Sequence, residues 1–386
     1  MSWSRIIGQH RIKNILLHAL RAERLPHAFL FAGPDGVGKD AAAMELARTI
    51  HCERSADEAC DRCGSCRSMD LLRHPDVHLV VPLPRGKDEG NDDGPLDKLT
   101  EADVLAVQEQ LRLKGGDPYH RVVIPRATVI KVNSIREVRR EASMTTSDHR
   151  RRVTIITRAE LMNDEAANML LKTLEEPSGD TMLILTTAHR EQLLPTILSR
   201  CQLVRFDQLS EGEILTALTG RSGVDQAHAA VTARLANGSY TRAVELLSED
   251  LLGLRRDVVQ FIRHALTPGA AALLDDVDRL TESKDRELIR RFLLLMIVWF
   301  RDAMVLASGG SVINVDQQED LGKFVARFGT ADVPRMLNGL ERALSLLDRN
   351  VQARLILINI ALLARASVLG ETLAGHPGSL TAPESA

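Results

Sequence analysis

Eight residues, Gly33-Pro34-Asp35-Gly36-Val37-Gly38-Lys39-Asp40, follow the pattern of a phosphate-binding loop at every position but the last. In such a loop, glycines at 33, 36 and 38 let backbone N–H groups turn inward around phosphate oxygens. Lys39 adds a point charge, and the helix that follows adds its dipole. The eighth residue is ordinarily Ser or Thr, whose hydroxyl ligates magnesium. Here it is Asp40, so the cradle is kept and the metal site is altered. A glycine-rich turn that binds nothing can show the same pattern, and the flanks decide between the two. Ala28-Phe29-Leu30-Phe31-Ala32 reads as a buried strand entering the loop, and residues 41–47 read as the helix leaving it.

A second group with chemistry is Cys52, Cys60, Cys63 and Cys66, spaced C-x7-C-x2-C-x2-C. Two overlapping C-x2-C steps bring three thiolates to one ion, and Cys52 can close a tetrahedron. Structural zinc is the expectation; unpaired surface thiols and an iron–sulfur cluster are the alternatives. Disulfides would not persist in the cytoplasm, which is the compartment expected for this chain.

The elements that must position these groups fit a large, mostly helical protein. The chain has 386 residues, enough for two or three domains, and only 3% of them are aromatic. With 49 basic against 52 acidic residues the net charge is −3, so no global field marks a nucleic-acid or membrane protein. The N-terminus lacks the apolar core of a signal peptide, and the longest apolar run, residues 292–300, is too short to span a bilayer.

Residues 76–81 read as a second strand, and residues 83–126 as an insertion with an acidic loop and a surface helix from Thr100 to Lys114. No role follows from its sequence. Ser134 and Glu137 have capping-box spacing. His149-Arg150-Arg151-Arg152 reads as a solvated basic turn, with a phosphate or acidic contact as the alternative.

The strand 153–156 should deliver the Asp that holds magnesium and the Glu that activates water, yet Thr157 and Arg158 follow it. Neither is a general base at neutral pH, so the residues predict no hydrolysis. The hydroxyl and the carboxylate of the metal site look exchanged, which predicts that Asp40 accepts the Thr157 hydroxyl and that Arg158 can pair with the same carboxylate. Asp40 as an ordinary first-turn acid facing solvent is the alternative.

Further on, Asn168-x-Leu170-Leu171-Lys172-Thr173-Leu174-Glu175-Glu176-Pro177 is followed by Thr196-Ile197-Leu198-Ser199-Arg200-Cys201. Together with the four-cysteine module behind the loop, these boxes resemble the clamp-loader subunits of bacterial DNA polymerase III, of the AAA+ class. Altered ATPase motifs beside an intact Ser-Arg-Cys box resemble the delta-prime type more than the ATP-hydrolysing gamma/tau type. The resemblance implies an α/β P-loop domain with a parallel sheet at 1–207, carrying the zinc module (52–66). A helical lid at 208–248, an all-helical collar at 249–370 and a disordered tail at 371–386 would follow. It implies vestigial nucleotide contacts at Gly33, Gly36, Gly38, Lys39, Asp40, Thr157 and Arg158, with a polar sensor at Thr187 and a lid arginine at Arg242. ATP and magnesium would bind weakly or not at all. Arg200 would be an arginine finger acting in trans. The implied partners are gamma/tau and delta subunits in a hetero-oligomeric ring, with the sliding clamp and primed DNA reached through the assembly and no membrane. An active ATPase motor would need a carboxylate near position 158, and a stand-alone DNA binder would need a basic domain.

Overall fold

A computed structural model describes residues 2–370 apart from 88, 91–92, 143–150, 178–180, 248–250, 284, 311, 315–316, 330–331 and 350. The expected tail at 371–386 and the pair His149-Arg150 lie outside the described residues.

The chain forms two compact units. The first comprises Met1–Gly223 with Ala236–Glu245, and the second Val224–Leu235 with the chain from Leu246 on. The first unit is built on a parallel sheet of five strands: β1 (Ala28–Ala32), β2 (Val77–Val80), β3 (Arg152–Ile156), β4 (Thr181–Thr187) and β5 (Gln202–Arg205). Their order is β2-β3-β4-β1-β5. All five residues of β1 are buried, as a central parallel strand requires. Ala28, Leu30 and Ala32 share an apolar cluster with residues of two helices numbered below as α5 and α6. On the opposite face Phe31 packs on Phe206, ring centroids 5.2 Å apart.

The helices of this unit are α1 (His10–Arg21), α2 (Lys39–His51), α3 (Gly64–Asp70), α4 (Glu101–Gly116), α5 (Val132–Ala142), α6 (Asp164–Glu175), α7 (Pro195–Leu198) and α8 (Glu211–Ser222), together with most of α10 (Tyr240–Leu247). Local sequence starts several of them. Asn163 caps α6 by accepting from the Ala166 amide, and Ser210 and Glu213 form both halves of a capping box on α8. Helix α5 departs from expectation. It begins at Val132, two residues before Ser134, so Ser134 lies inside the first turn and its hydroxyl caps nothing.

The second unit is helical: α9 (Gln226–Leu235), α11 (Leu251–Leu266), α12 (Ala271–Glu282), α13 (Arg286–Ala307), α14 (Gln318–Phe328), α15 (Val333–Asp348) and α16 (Ala353–Leu369). The apolar run 292–300 lies within α13, where Phe292 and Phe300 are fully buried. Edge-on contacts of Phe261 with Phe292 (5.3 Å) and of Trp299 with Phe324 (5.0 Å) lock α13 to α11 and α14. No helix among the described residues is long and apolar enough to cross a membrane.

Candidate functional site

The glycine loop runs from β1 into α2, the strand–loop–helix setting that a phosphate cradle needs. The chain itself occupies much of it. Lys39 Nζ donates to the carbonyls of Gly33 (2.7 Å) and Pro34 (2.6 Å), folding back on its own loop. Burial pulls its ammonium below the ordinary value, although Asp40 and Asp35 oppose the change. Asp40 accepts the Thr186 hydroxyl at 2.7 Å and the Lys114 ammonium at 3.1 Å. Burial alone would raise the Asp40 carboxyl, but Lys114, Thr186 and Lys39 outweigh it and hold the carboxyl below its ordinary value.

The Thr157 hydroxyl donates instead to Val80 O (3.1 Å), which corrects the expected Asp40–Thr157 bond. Thr186, one residue before the expected sensor Thr187, is the partner that reaches Asp40. The Thr187 hydroxyl accepts from the His189 amide (3.0 Å), and its carbonyl accepts from Gly33 N (3.2 Å). Arg158 is exposed, takes a left-handed backbone conformation (φ 53°), and its guanidinium has no partner among the described residues, Asp40 included.

The insertion supplies what the sequence left without a role. Lys114, 3% exposed at the end of α4, also donates to His120 O (2.9 Å). The Tyr119 ring lies against Gly38, where an added Cβ would come within 2.7 Å of Tyr119 Oη. That oxygen accepts from the Ile7 amide at 2.8 Å, and the ring stands edge-on to Tyr240 at 4.9 Å. Arg121 reaches Asp35 (3.6 Å) and Glu245 (3.9 Å). From the other side the segment 238–243 closes in: Gly36 O accepts from Tyr240 N (3.0 Å), and a Cβ on Gly36 would collide with Ser239 Oγ. Arg242, whose side chain is 26% exposed, pairs with Glu245 at 3.5 Å and lines the cradle with Lys39, Thr157, Arg158 and Thr187. The space left among these groups is about 100 Å³. Small-molecule sites commonly offer about 300–1,000 Å³.

Arg200 stands elsewhere. It follows α7 and precedes β5, and its guanidinium contacts Glu175 Oε1 (2.9 Å) and Thr196 O (3.0 Å). Because Phe29 pairs with Gln202 and Ala32 with Arg205, β1 and β5 run in register, with the cradle after one end and Arg200 before the other. Strand alone separates them by about 10–13 Å at about 3.3 Å per residue.

The four cysteines converge as their spacing predicts. Their Sγ atoms all lie within 4.8 Å of one another, and three of the residues are buried. The Cys60 amide donates to Cys52 Sγ (3.3 Å) and the Cys66 amide to Cys63 Sγ (3.4 Å). The Arg62 amide pulls the Cys60 thiol down to about 6. Arg48, 3% exposed on α2, grips Asp61 (2.5 Å) within the module and Asp70 after it. This donor set fits zinc, and Cys52, Cys60, Cys63 and Cys66 would hold it. Burial raises the fifth thiol, Cys201, to about 12, as suits a small apolar packing residue.

Residues 8–210 match the family model described as DNA polymerase III, delta subunit. The chain belongs to this family. Among curated relatives, the delta-prime subunit of DNA polymerase III from Bacillus subtilis is 32% identical over 242 residues, covering 63% of this chain and 60% of the relative. The Escherichia coli delta-prime subunit is 27% identical over 255 residues, 66% of this chain and 64% of the relative. The gamma/tau subunit of Mycobacterium tuberculosis is 28% identical over 384 residues, 92% of this chain and 59% of the relative. The chain thus spans about three fifths of the length of these relatives. In this delta-family chain, Lys114, Tyr119 and Thr186 are the site residues that sequence reasoning missed.

Proposed function

We propose that the chain is a delta-prime-type subunit of a DNA polymerase III clamp loader, working beside gamma/tau and delta subunits to load a sliding clamp onto primed DNA. In this reading it turns over no ATP itself and presents Arg200 to the ATP site of a neighbour. The observation that carries the reading is the Lys114–Asp40 contact. A fixed ammonium stands against the residue where magnesium would be ligated, and Thr157 and Arg158 provide no base. Support for Arg200 comes from the β1–β5 register, which sets it at the far end of the strands from its own cradle. A guanidinium placed against a γ-phosphate in trans contributes about 10³–10⁵ in rate.

The gamma/tau relative that aligns over 92% of the chain favours a second reading, an ATP-hydrolysing subunit. One set of measurements separates the two. Under the first reading the isolated chain shows no ATPase activity, and Arg200→Ala in a reconstituted complex lowers DNA-stimulated hydrolysis and clamp loading without dissociating the ring. Arg200→Lys should rescue poorly, because lysine lacks the planar fork. Hydrolysis by the isolated chain that Lys39→Ala abolishes would establish the second reading instead.

A further inference from the structure

The four-cysteine module is tied to both groups that fill the cradle. Cys52 directly follows α2, whose first residues, Lys39 and Asp40, line the cradle, so one helix of 13 residues joins the two sites. At 1.5 Å per residue it is about 20 Å long. Two further routes leave the module, and the first runs through the N-terminal residues. Trp3 Nε1 donates to Asp57 O (3.3 Å), and Arg5 pairs with Asp61 (3.5 Å). Two residues on, the Ile7 amide donates to Tyr119 Oη. Arg221 braces this path: it donates to the carbonyls of Ser4 (2.8 Å) and Arg5 (2.7 Å), and its guanidinium lies 5.9 Å from the centre of the Tyr119 ring.

The second route runs through α3, which Cys63 caps and which ends at Asp70. The Asp70 carboxylate accepts from Arg5 and from Arg48, and the buried Arg48 also holds Asp61 inside the module. The Asp70 carbonyl lies so close to Gly115 that an added Cβ there would collide with it. Gly115 follows Lys114, so the end of α3 bears on α4 beside the ammonium that reaches Asp40.

We propose that the cysteine module is the abutment of the plug: with zinc bound it sets Lys114 and Tyr119 in the phosphate cradle, and with zinc lost it releases them. The apolar cluster of the stretch 52–66 holds only Ala59 besides the cysteines, so the order of the stretch depends on the ion. Once that order goes, Asp57 and Asp61 no longer fix Trp3, Arg5 and Arg48, and α3 loses its cap. Both supports of the plug weaken together. The strands keep their packing, because their apolar cluster is a separate one. This linkage lies within one chain and stands apart from the clamp-loader reading.

The test compares hydrogen exchange in the full chain with zinc bound, with zinc removed by chelation under reducing conditions, and with zinc restored. The reporters are the amides of Ile7, which donates to Tyr119, and of Asp117 and His120, which close the turn between Lys114 and Tyr119. Zinc removal should speed their exchange by at least about tenfold, while β1 and β4 amides stay within about twofold, and zinc should reverse the change. Asp70→Ala cuts both arginines loose yet keeps all four cysteines; with its zinc retained, it should speed the same amides by at least about threefold. Reporter amides that ignore zinc removal overturn the proposal. So does an equal rise across β1 and β4, which would mean that the ion merely keeps the whole unit folded. Zinc-loaded Asp70→Ala protein that exchanges at the wild-type rate overturns it as well.

Discussion

Glu175 Oε1 lies 2.9 Å from Arg200 Nη2, so the last residue of α6 grips the guanidinium that precedes β5. The Leu-Glu-Glu-Pro and Ser-Arg-Cys boxes thus meet in the fold through Glu175 and Arg200, 25 residues apart in sequence. The two side chains are 50% and 35% exposed, so the pair is a surface one. Glu175→Gln is expected to change unfolding stability by less than about 1 kcal/mol in urea titrations. A much larger loss would make the pair a structural brace rather than a resting place for Arg200.

The Lys114–Asp40 contact gives a pH-dependent prediction. The folded carboxyl of Asp40 lies below its ordinary value of 3.8, so its contribution is complete above about pH 4 and is lost as pH falls through the folded value. Asp40→Asn should therefore cost about 1–3 kcal/mol at pH 7, and the gap from wild type should narrow at pH 3. Urea unfolding of both proteins at the two pH values tests this. A gap that is constant or widens toward acid would contradict the assignment.

Purified protein is expected to carry about one zinc per chain, since four cysteine sulfurs within 4.8 Å of one another can satisfy one tetrahedral ion. Cys63→Ser should release the metal, and chelation should open residues 52–66 to protease, because that stretch has little core beyond its own cysteines. Elemental analysis together with limited proteolysis decides the matter. Zinc-free protein with four freely titrating thiols would exclude the site.

In the second unit, Asp302 is 2% exposed and accepts from the Ile313 amide (3.1 Å), the Asn314 amide (2.7 Å) and Asn314 Nδ2 (2.8 Å). It anchors the chain that follows α13. Asp302→Ala leaves those donors buried and unpaired, at about 1–3 kcal/mol each. The expected loss is several kcal/mol by equilibrium denaturation.

Much of this was legible in the residues. Ala28–Ala32 is the strand that its unbroken apolar run predicts, and Ser210 with Glu213 forms the capping box that its spacing predicts. The cysteines meet because C-x2-C steps constrain geometry within a few residues. What stayed hidden depends on long-range placement. Thr186 and Thr187 are adjacent on β4 and point to opposite faces, so sequence alone cannot say which one meets Asp40. Lys114 looked like the polar end of a surface helix, and only the packing of α4 over the cradle buries it. Ser134 missed its capping role because α5 starts at Val132, three residues earlier than a helix capped by this serine would.

The register of β1 and β5 also gives the first unit a direction. On the proposed reading, one end of the strands offers an arginine to a neighbour, while the other end, where a neighbour's arginine would be received, holds the chain's own Lys114, Tyr119 and Arg121. Subunits that give at one end and receive at the other join head to tail, and such a series continues only while each member can do both. A member that gives but has nothing to receive for ends the series. The plugged cradle would then act as a counting device, fixing where a row of ATP-using subunits stops.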